Sequence, residues 1–186
     1  GEEFPYKGKY AYYKEGLFVG YRYYDSADLE VLLPFGYGLS YTSFEYSELK
    51  IDDKKVVFTI TNTGKYKGAE IAQLYVGKAD SEITRPVKEL KGFSKVILES
   101  GESKQVEIKF DDKTFRYFDV ESNQWEVEGG QYQLTVGSNS REPKLAGELV
   151  KAGTSLKVPE REKSLNKYKN GLFKELTMAD FEKLYG

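Results

Sequence analysis

The chain has 186 residues, the size of one domain with appendages and enough to bury a real core. Its 28 basic and 30 acidic residues give a formal net charge of −2, which suggests no nucleic-acid or membrane-surface partner. It has no cysteine and no histidine, which excludes disulfides, thiolate nucleophiles, zinc bound through cysteine or histidine, and every histidine general base, while leaving the compartment open. No apolar run is long enough to span a bilayer, and the N-terminus shows no signal-peptide pattern.

The first segment is dominated by rings. Tyr6, Tyr10, Tyr12, Tyr13, Tyr21, Tyr23, Tyr24, Tyr37 and Tyr41 stand with Phe4, Phe18, Phe35 and Phe44, and no helix or strand period persists among them. Gly16 to Asp25 predicts one strand or an extended arm. Pro34 to Tyr41 is too rich in glycine and proline for a regular element and reads as a loop or linker. So much aromatic surface on so short a segment cannot bury itself. It reads as an arm that packs on a neighbouring domain, with a sugar-stacking platform as the sharper alternative.

From Glu45 strands are expected at regular spacing. Tyr46–Ile51 and Lys55–Asn62 come first, then a polar turn at Asn62-Thr-Gly64, which joins a hairpin or an arch, and then Ala69–Lys78. Ala79 to Val87 is a polar crossing. Lys88–Leu98 follows, with a bulge or bend expected at Gly92. Val106, Ile108 and Phe110 alternate with polar residues, the pattern of a strand with one wet face. Phe115–Val120, Trp125–Glu128 and a strand carrying Tyr132, Leu134 and Val136 complete the set, with Leu145–Val150 as an edge strand. Seven to nine short strands at this spacing predict an all-β antiparallel sandwich of the immunoglobulin or fibronectin type III kind, over about residues 44–150. Its single tryptophan, Trp125, is expected in the core.

The tail, 151–186, is polar and charged as far as Lys169 and reads as a linker or a strap lying along the domain. Near 177–185 it shows a helix signal, with Thr177 as N-cap and Phe181, Leu184 and Tyr185 on one face. A helix of two turns must dock on something to be stable.

Two stretches, Glu15-Gly-Leu-Phe-Val-Gly-Tyr-Arg-Tyr-Tyr-Asp25 and Leu32-Leu-Pro-Phe-Gly-Tyr-Gly-Leu-Ser-Tyr-Thr-Ser-Phe44, resemble the C-terminal end of the α/β sandwich domain of glycoside hydrolase family 3, the β-glucosidases and their relatives. Thr61-Asn-Thr-Gly64, Gln73-Leu-Tyr-Val76, Arg85-Pro-Val-Lys-Glu-Leu-Lys-Gly-Phe93 and Gly130-Gln-Tyr-Gln-Leu-Thr-Val-Gly137 are similar to the fibronectin type III-like domain that follows it. The resemblance covers roughly Lys14 to Ser138 and implies three parts. Residues 1–43 would be the edge of the preceding domain with a linker, 44–150 the fibronectin type III-like sandwich, and 151–186 a tail with its short helix.

The resemblance also implies where the chemistry lies. Retaining glycosidases use two carboxyl groups about 5 Å apart, one as nucleophile and one as acid/base. The family's nucleophile belongs to a barrel domain, commonly in a Ser-Asp-Trp context, whereas Trp125 follows Gln124; its acid/base glutamate precedes the Glu15 stretch. No catalytic, cofactor-binding or metal residue is carried over. The expectation is a non-catalytic piece of a β-glucosidase-type enzyme whose partners are the barrel and α/β sandwich domains of the same parent. A homo-oligomer stands as a further expectation, with a carbohydrate-binding module using exposed tyrosines as the alternative. Asp25, Asp28 and Glu30 cluster enough to suggest a carboxylate pair, but in a chain that is 31% charged a solvated face is the simpler reading. Arg85 reads either as a ligand clamp or, more simply, as the residue that fixes the crossing or docks on the missing domains, with Lys88 and Glu89 beside it.

Overall fold

The computed structural model describes residues 15–154; the tyrosines from Tyr6 to Tyr13 and the helix expected near 177–185 lie outside the described residues. Nine strands run from Phe44 to Lys151: β1 Phe44–Ile51, β2 Lys55–Asn62, β3 Gly68–Gly77, β4 Glu89–Leu98, β5 Ser103–Lys109, β6 Arg116–Asp119, β7 Gln124–Val127, β8 Gly130–Gly137 and β9 Pro143–Lys151. They form a sheet of order β1-β2-β5, a second of order β4-β3-β8-β9, and a separate β6-β7 ribbon, all antiparallel.

The two sheets face each other across one core. Val56, Phe58 and Ile60 of β2 point inward at every second residue, as do Val106 and Ile108 of β5, against Leu74 of β3 and Leu134 of β8. The period of two in the sequence is the physical cause, since alternate side chains of a strand leave on opposite faces. The bulge foreseen at Gly92 is present one residue away. Leu74 pairs with Gly92 and Tyr75 with Leu90, so Lys91 is the extra residue.

β2 and β3 belong to different sheets, so the Asn62–Gly64 turn opens an arch rather than a hairpin. Asn62, fully buried, clamps it. Its amide nitrogen donates to the carbonyls of Tyr66 (2.8 Å) and Leu98 (3.0 Å), and its side-chain oxygen accepts from the Gly64 N–H (3.1 Å) and the Thr42 hydroxyl (2.6 Å). One side chain thus joins both sheets and the incoming N-terminal segment.

Two expectations are corrected. Gly16–Asp25 is neither strand nor extended arm: Tyr21–Ser26 form a short helix, α1. Its contact face is polar, so no apolar period announced it. Trp125 is not in the core but 62% exposed on the β6-β7 ribbon, edge-on to its cross-strand partner Phe118 at 5.4 Å. The core takes Val127 at the foot of the ribbon, and Trp125 lies two residues further out on the same strand face.

Replacing Asn62 by alanine orphans the Leu98 and Tyr66 carbonyls and the Gly64 N–H. The expected loss is about 3 kcal/mol of folding stability, read from the shift of the urea unfolding midpoint.

Candidate docking surface

β3 is buried on both faces from Ala72 to Val76. Ala72, Leu74 and Val76 face the core. Gln73 and Tyr75 face outward and are covered by the N-terminal segment. Gln73 donates to the carbonyls of Gly36 (3.2 Å) and Ser138 (2.5 Å) and accepts from the Tyr75 hydroxyl at 2.6 Å. Gly36 sits at φ +81°, and a Cβ there would collide with the Gln73 amide, so both conformation and space require glycine. Burial foremost, then the Tyr21 and Asp25 groups, push the Tyr75 phenol well up, which keeps it a proton donor.

α1 is held by its contacts rather than by its own length. Tyr21, Arg22, Asp25 and Ser26 lie on one helical face, at i, i+1, i+4 and i+5. The Tyr21 hydroxyl accepts from the Leu90 N–H (2.8 Å), Arg22 pairs with Glu89 (3.1 Å), and the Ser26 hydroxyl accepts from the Val87 N–H (3.0 Å). The Tyr21 ring stacks on Phe35 at 4.5 Å and meets Tyr75 edge-on at 6.0 Å. Asp25, its side chain 4% exposed, takes Arg141 Nε on one oxygen at 2.8 Å and Lys88 Nζ near the other at 3.5 Å. Arg141 also donates to the carbonyls of Tyr24 and Leu29.

These contacts separate the suggested carboxylates. Asp25 is a buried structural anion, whereas Asp28 and Glu30 lie exposed on the following loop. Lys88 and Glu89, neighbours of Arg85 in the sequence, pair with Asp25 and with Arg22 and Lys91. Arg85 lies 3.4 Å from Glu128, with Tyr117 and Tyr132 about its guanidinium at 5.8 and 5.9 Å. Burial pushes the Tyr117 phenol up to about 12. Glu128 also accepts from the Ser81 hydroxyl and the Glu82 N–H and faces buried Lys78 at 3.7 Å, so the crossing is tied to β7–β8. Arg141 and Glu128 were not singled out from the sequence, and Gln73 entered only as part of the Gln73–Val76 stretch. Each acts on a partner far along the chain, and local spacing carries no sign of it.

Around the docked segment a broad apolar surface remains uncovered. Leu17, Val19 and Leu33 are more than half exposed, Leu32 and Tyr41 are each 96% exposed and Leu39 89%. On the outer face of the adjoining strands, Ile71, Phe93 and Ile97 extend the same character. The recess between α1 and the Pro34 loop is only ≈ 160 Å³. A wider cleft of ≈ 460 Å³ is lined by Asp111, Asp112 and Lys151, but Asp111 caps a 3₁₀ turn and Asp112 pairs with Lys151. Among the described residues no three His, Cys, Asp or Glu side chains group as a metal site, and no helix is long and apolar enough to cross a membrane. The arrangement presents exposed apolar side chains beside a segment pinned to the sandwich.

Residues 70–140 match the fibronectin type III-like domain family. The chain is similar to the thermostable β-glucosidase B of Acetivibrio thermocellus, 44% identical over 166 residues, covering 85% of this chain and 22% of that one. It is 46% identical to an exo-α-(1→6)-L-arabinopyranosidase of Bifidobacterium breve, over 70% of this chain and 18% of the relative. Among solved structures, the family 3 β-glucosidase of Bifidobacterium adolescentis superposes with a TM-score of 0.76 at 35% identity, over 87% of this chain and 26% of that one. The β-glucosidase of Kluyveromyces marxianus with bound glucose gives 0.71 at 43% identity, over 76% and 18%. The chain therefore spans about a fifth of the length of the curated relatives it matches.

Replacing Asp25 by alanine leaves Arg141 and Lys88 without their shared anion beneath α1. The expected cost is about 3 kcal/mol, the scale for removing one partner of a buried pair, with earlier proteolytic cleavage near Tyr24 as a second readout.

Proposed function

We propose that this chain, which matches the fibronectin type III-like, C-terminal part of family 3 glycoside hydrolases, is a non-catalytic buttress in a parent enzyme that hydrolyses terminal β-D-glucosyl residues with retention. The observation that carries the reading is the uncovered apolar surface beside a segment already locked to the sandwich. Exposed apolar side chains beside a segment pinned by hydrogen bonds and ion pairs suit an interface between domains of one protein. In this reading residues 1–43 close the preceding α/β sandwich domain, 44–150 form the buttress, and 151–186 form a tail. The partners are the α/β sandwich and barrel domains of the parent. Contacts between copies of the enzyme would use the outer face at Ile71, Phe93 and Ile97.

The crossing Gly77–Val87 is the part of the sandwich that would approach the rim of the parent's active site. Its attachment through Lys78, Ser81 and Arg85 to Glu128 supports that role, since an element that shapes a site must be rigid. Sugar specificity is assigned to the other domains, because similar regions accompany proteins named for β-glucoside and for α-L-arabinopyranoside cleavage. A carbohydrate-binding module would need coplanar exposed rings on a rigid sheet. Phe118 and Trp125 instead meet at 73°, and Tyr37 and Tyr41 stand on an irregular segment.

Two outcomes are expected. The isolated chain turns over no chromogenic β-glucoside above background between about pH 4 and pH 8, a range chosen to span the usual carboxylate and near-neutral working values; turnover lost on Asp25→Asn, Asp28→Asn or Glu30→Gln would overturn the reading. Leu32→Asp with Leu39→Asp leaves the unfolding midpoint of the isolated chain unchanged but lowers that of the intact parent enzyme. Equal effects in both would place these leucines outside any domain interface.

A further inference from the structure

We propose that residues 18–36 form a strap that opens only together with the sandwich, so that the two share one cooperative unit. In the parent enzyme the strap would then belong to two domains at once, a consequence that rests on the functional reading above.

The strap is fastened to three separate parts of the sandwich. On β3, Gln73 donates to the Gly36 carbonyl at 3.2 Å and the Tyr75 ring meets Tyr21. At the entry to β4 and in its first residues, the N–H groups of Val87 and Leu90 donate to the Ser26 and Tyr21 hydroxyls, and Glu89 pairs with Arg22. In the turn between β8 and β9, the Ser140 N–H donates to the Phe35 carbonyl at 2.9 Å, and Arg141 donates to Asp25 and to the Tyr24 and Leu29 carbonyls. Both ends are closed as well. Phe18 is 2% exposed at one end, and beyond the other the Thr42 hydroxyl donates to Asn62 and the Thr63 N–H to the Ser43 carbonyl.

Neither partner is complete without the other. α1 has six residues and no side chain caps its N-terminus, so it has no stable helical state once lifted. On the sandwich, lifting the strap frees the N–H groups of Val87, Leu90 and Ser140 and uncovers the buried Gln73 and Tyr75. It also parts Asp25 from Arg141 and Lys88. A segment held at one point peels by local opening, whereas one held at its ends and middle has no such low-cost route.

Native-state hydrogen exchange on the full 186-residue chain tests the strap directly. Ala27 and Leu29 report from the strap, their N–H groups bonded to the Tyr23 and Tyr24 carbonyls, and Val87, Leu90 and Ser140 report from the sandwich side. All five are expected to match the slowest amides of Ala72 to Val76. Ser26→Ala and Arg141→Gln each remove one fastening and are expected to speed the strap and β3 amides by one common factor. Three results would each overturn the proposal: strap amides about a hundredfold faster than those of β3 in the wild type, a variant that speeds the strap alone, or both variants leaving every rate unchanged. Turnover of a β-glucoside by this chain would sink the functional reading instead and has no bearing on these rates.

Discussion

Strand β3 has no face turned to water between Ala72 and Val76, and much of the structure follows from that constraint. A strand buried on one side is content with a sandwich; one buried on both needs a further layer. Residues 21–36 supply it, and because Gln73 and Tyr75 are polar, that layer must bring hydrogen-bond partners as well as rings. The Gly36 and Ser138 carbonyls take both N–H groups of the Gln73 amide and the Tyr75 hydroxyl donates to its oxygen, and without them its burial would be costly.

The same logic governs the ion pairs. Asp25 accepts from Arg141 and lies in ion-pair range of Lys88 beneath α1, and Glu128 accepts from Ser81 and Glu82 and lies in ion-pair range of Lys78 and Arg85 beneath the crossing between β3 and β4. In both places one shielded carboxylate gathers donors from distant parts of the chain and fixes an irregular segment to the sheet. Such pairs add little stability compared with apolar packing of the same volume. Their effect is specificity of place: α1 has one seat, and so does the crossing.

What remains exposed is consistent with that order. Leu32, Leu39 and Tyr41 at the rim of the docked segment are exposed, whereas Gln73 and Tyr75 beneath it are buried and hydrogen-bonded to each other. The fold alone would not identify the role, since sandwiches of this type serve many purposes. It is the pairing of a locked segment with an uncovered apolar rim that favours a buttress over a ligand-binding face.

The sequence by itself determined most of the strands. Val56-Val57-Phe58-Thr59-Ile60 and Val106-Glu107-Ile108 alternate with period two, and local sterics translate that into inward and outward faces without help from elsewhere. The bulge beside Gly92 was legible for the same reason, within one residue. The absence of histidine and of the family's catalytic contexts was legible too. Only the tertiary structure decided that Tyr21–Ser26 is a helix, that Asp25 is a structural anion held by Arg141, 116 residues away, and that Arg85 belongs with Glu128. It alone placed Trp125 outside the core, because the core ends at Val127 and composition cannot say where a core ends. These features depend on which distant side chains meet. That meeting is fixed by the packing of two sheets and the segment that covers β3, not by the spacing of residues along the chain.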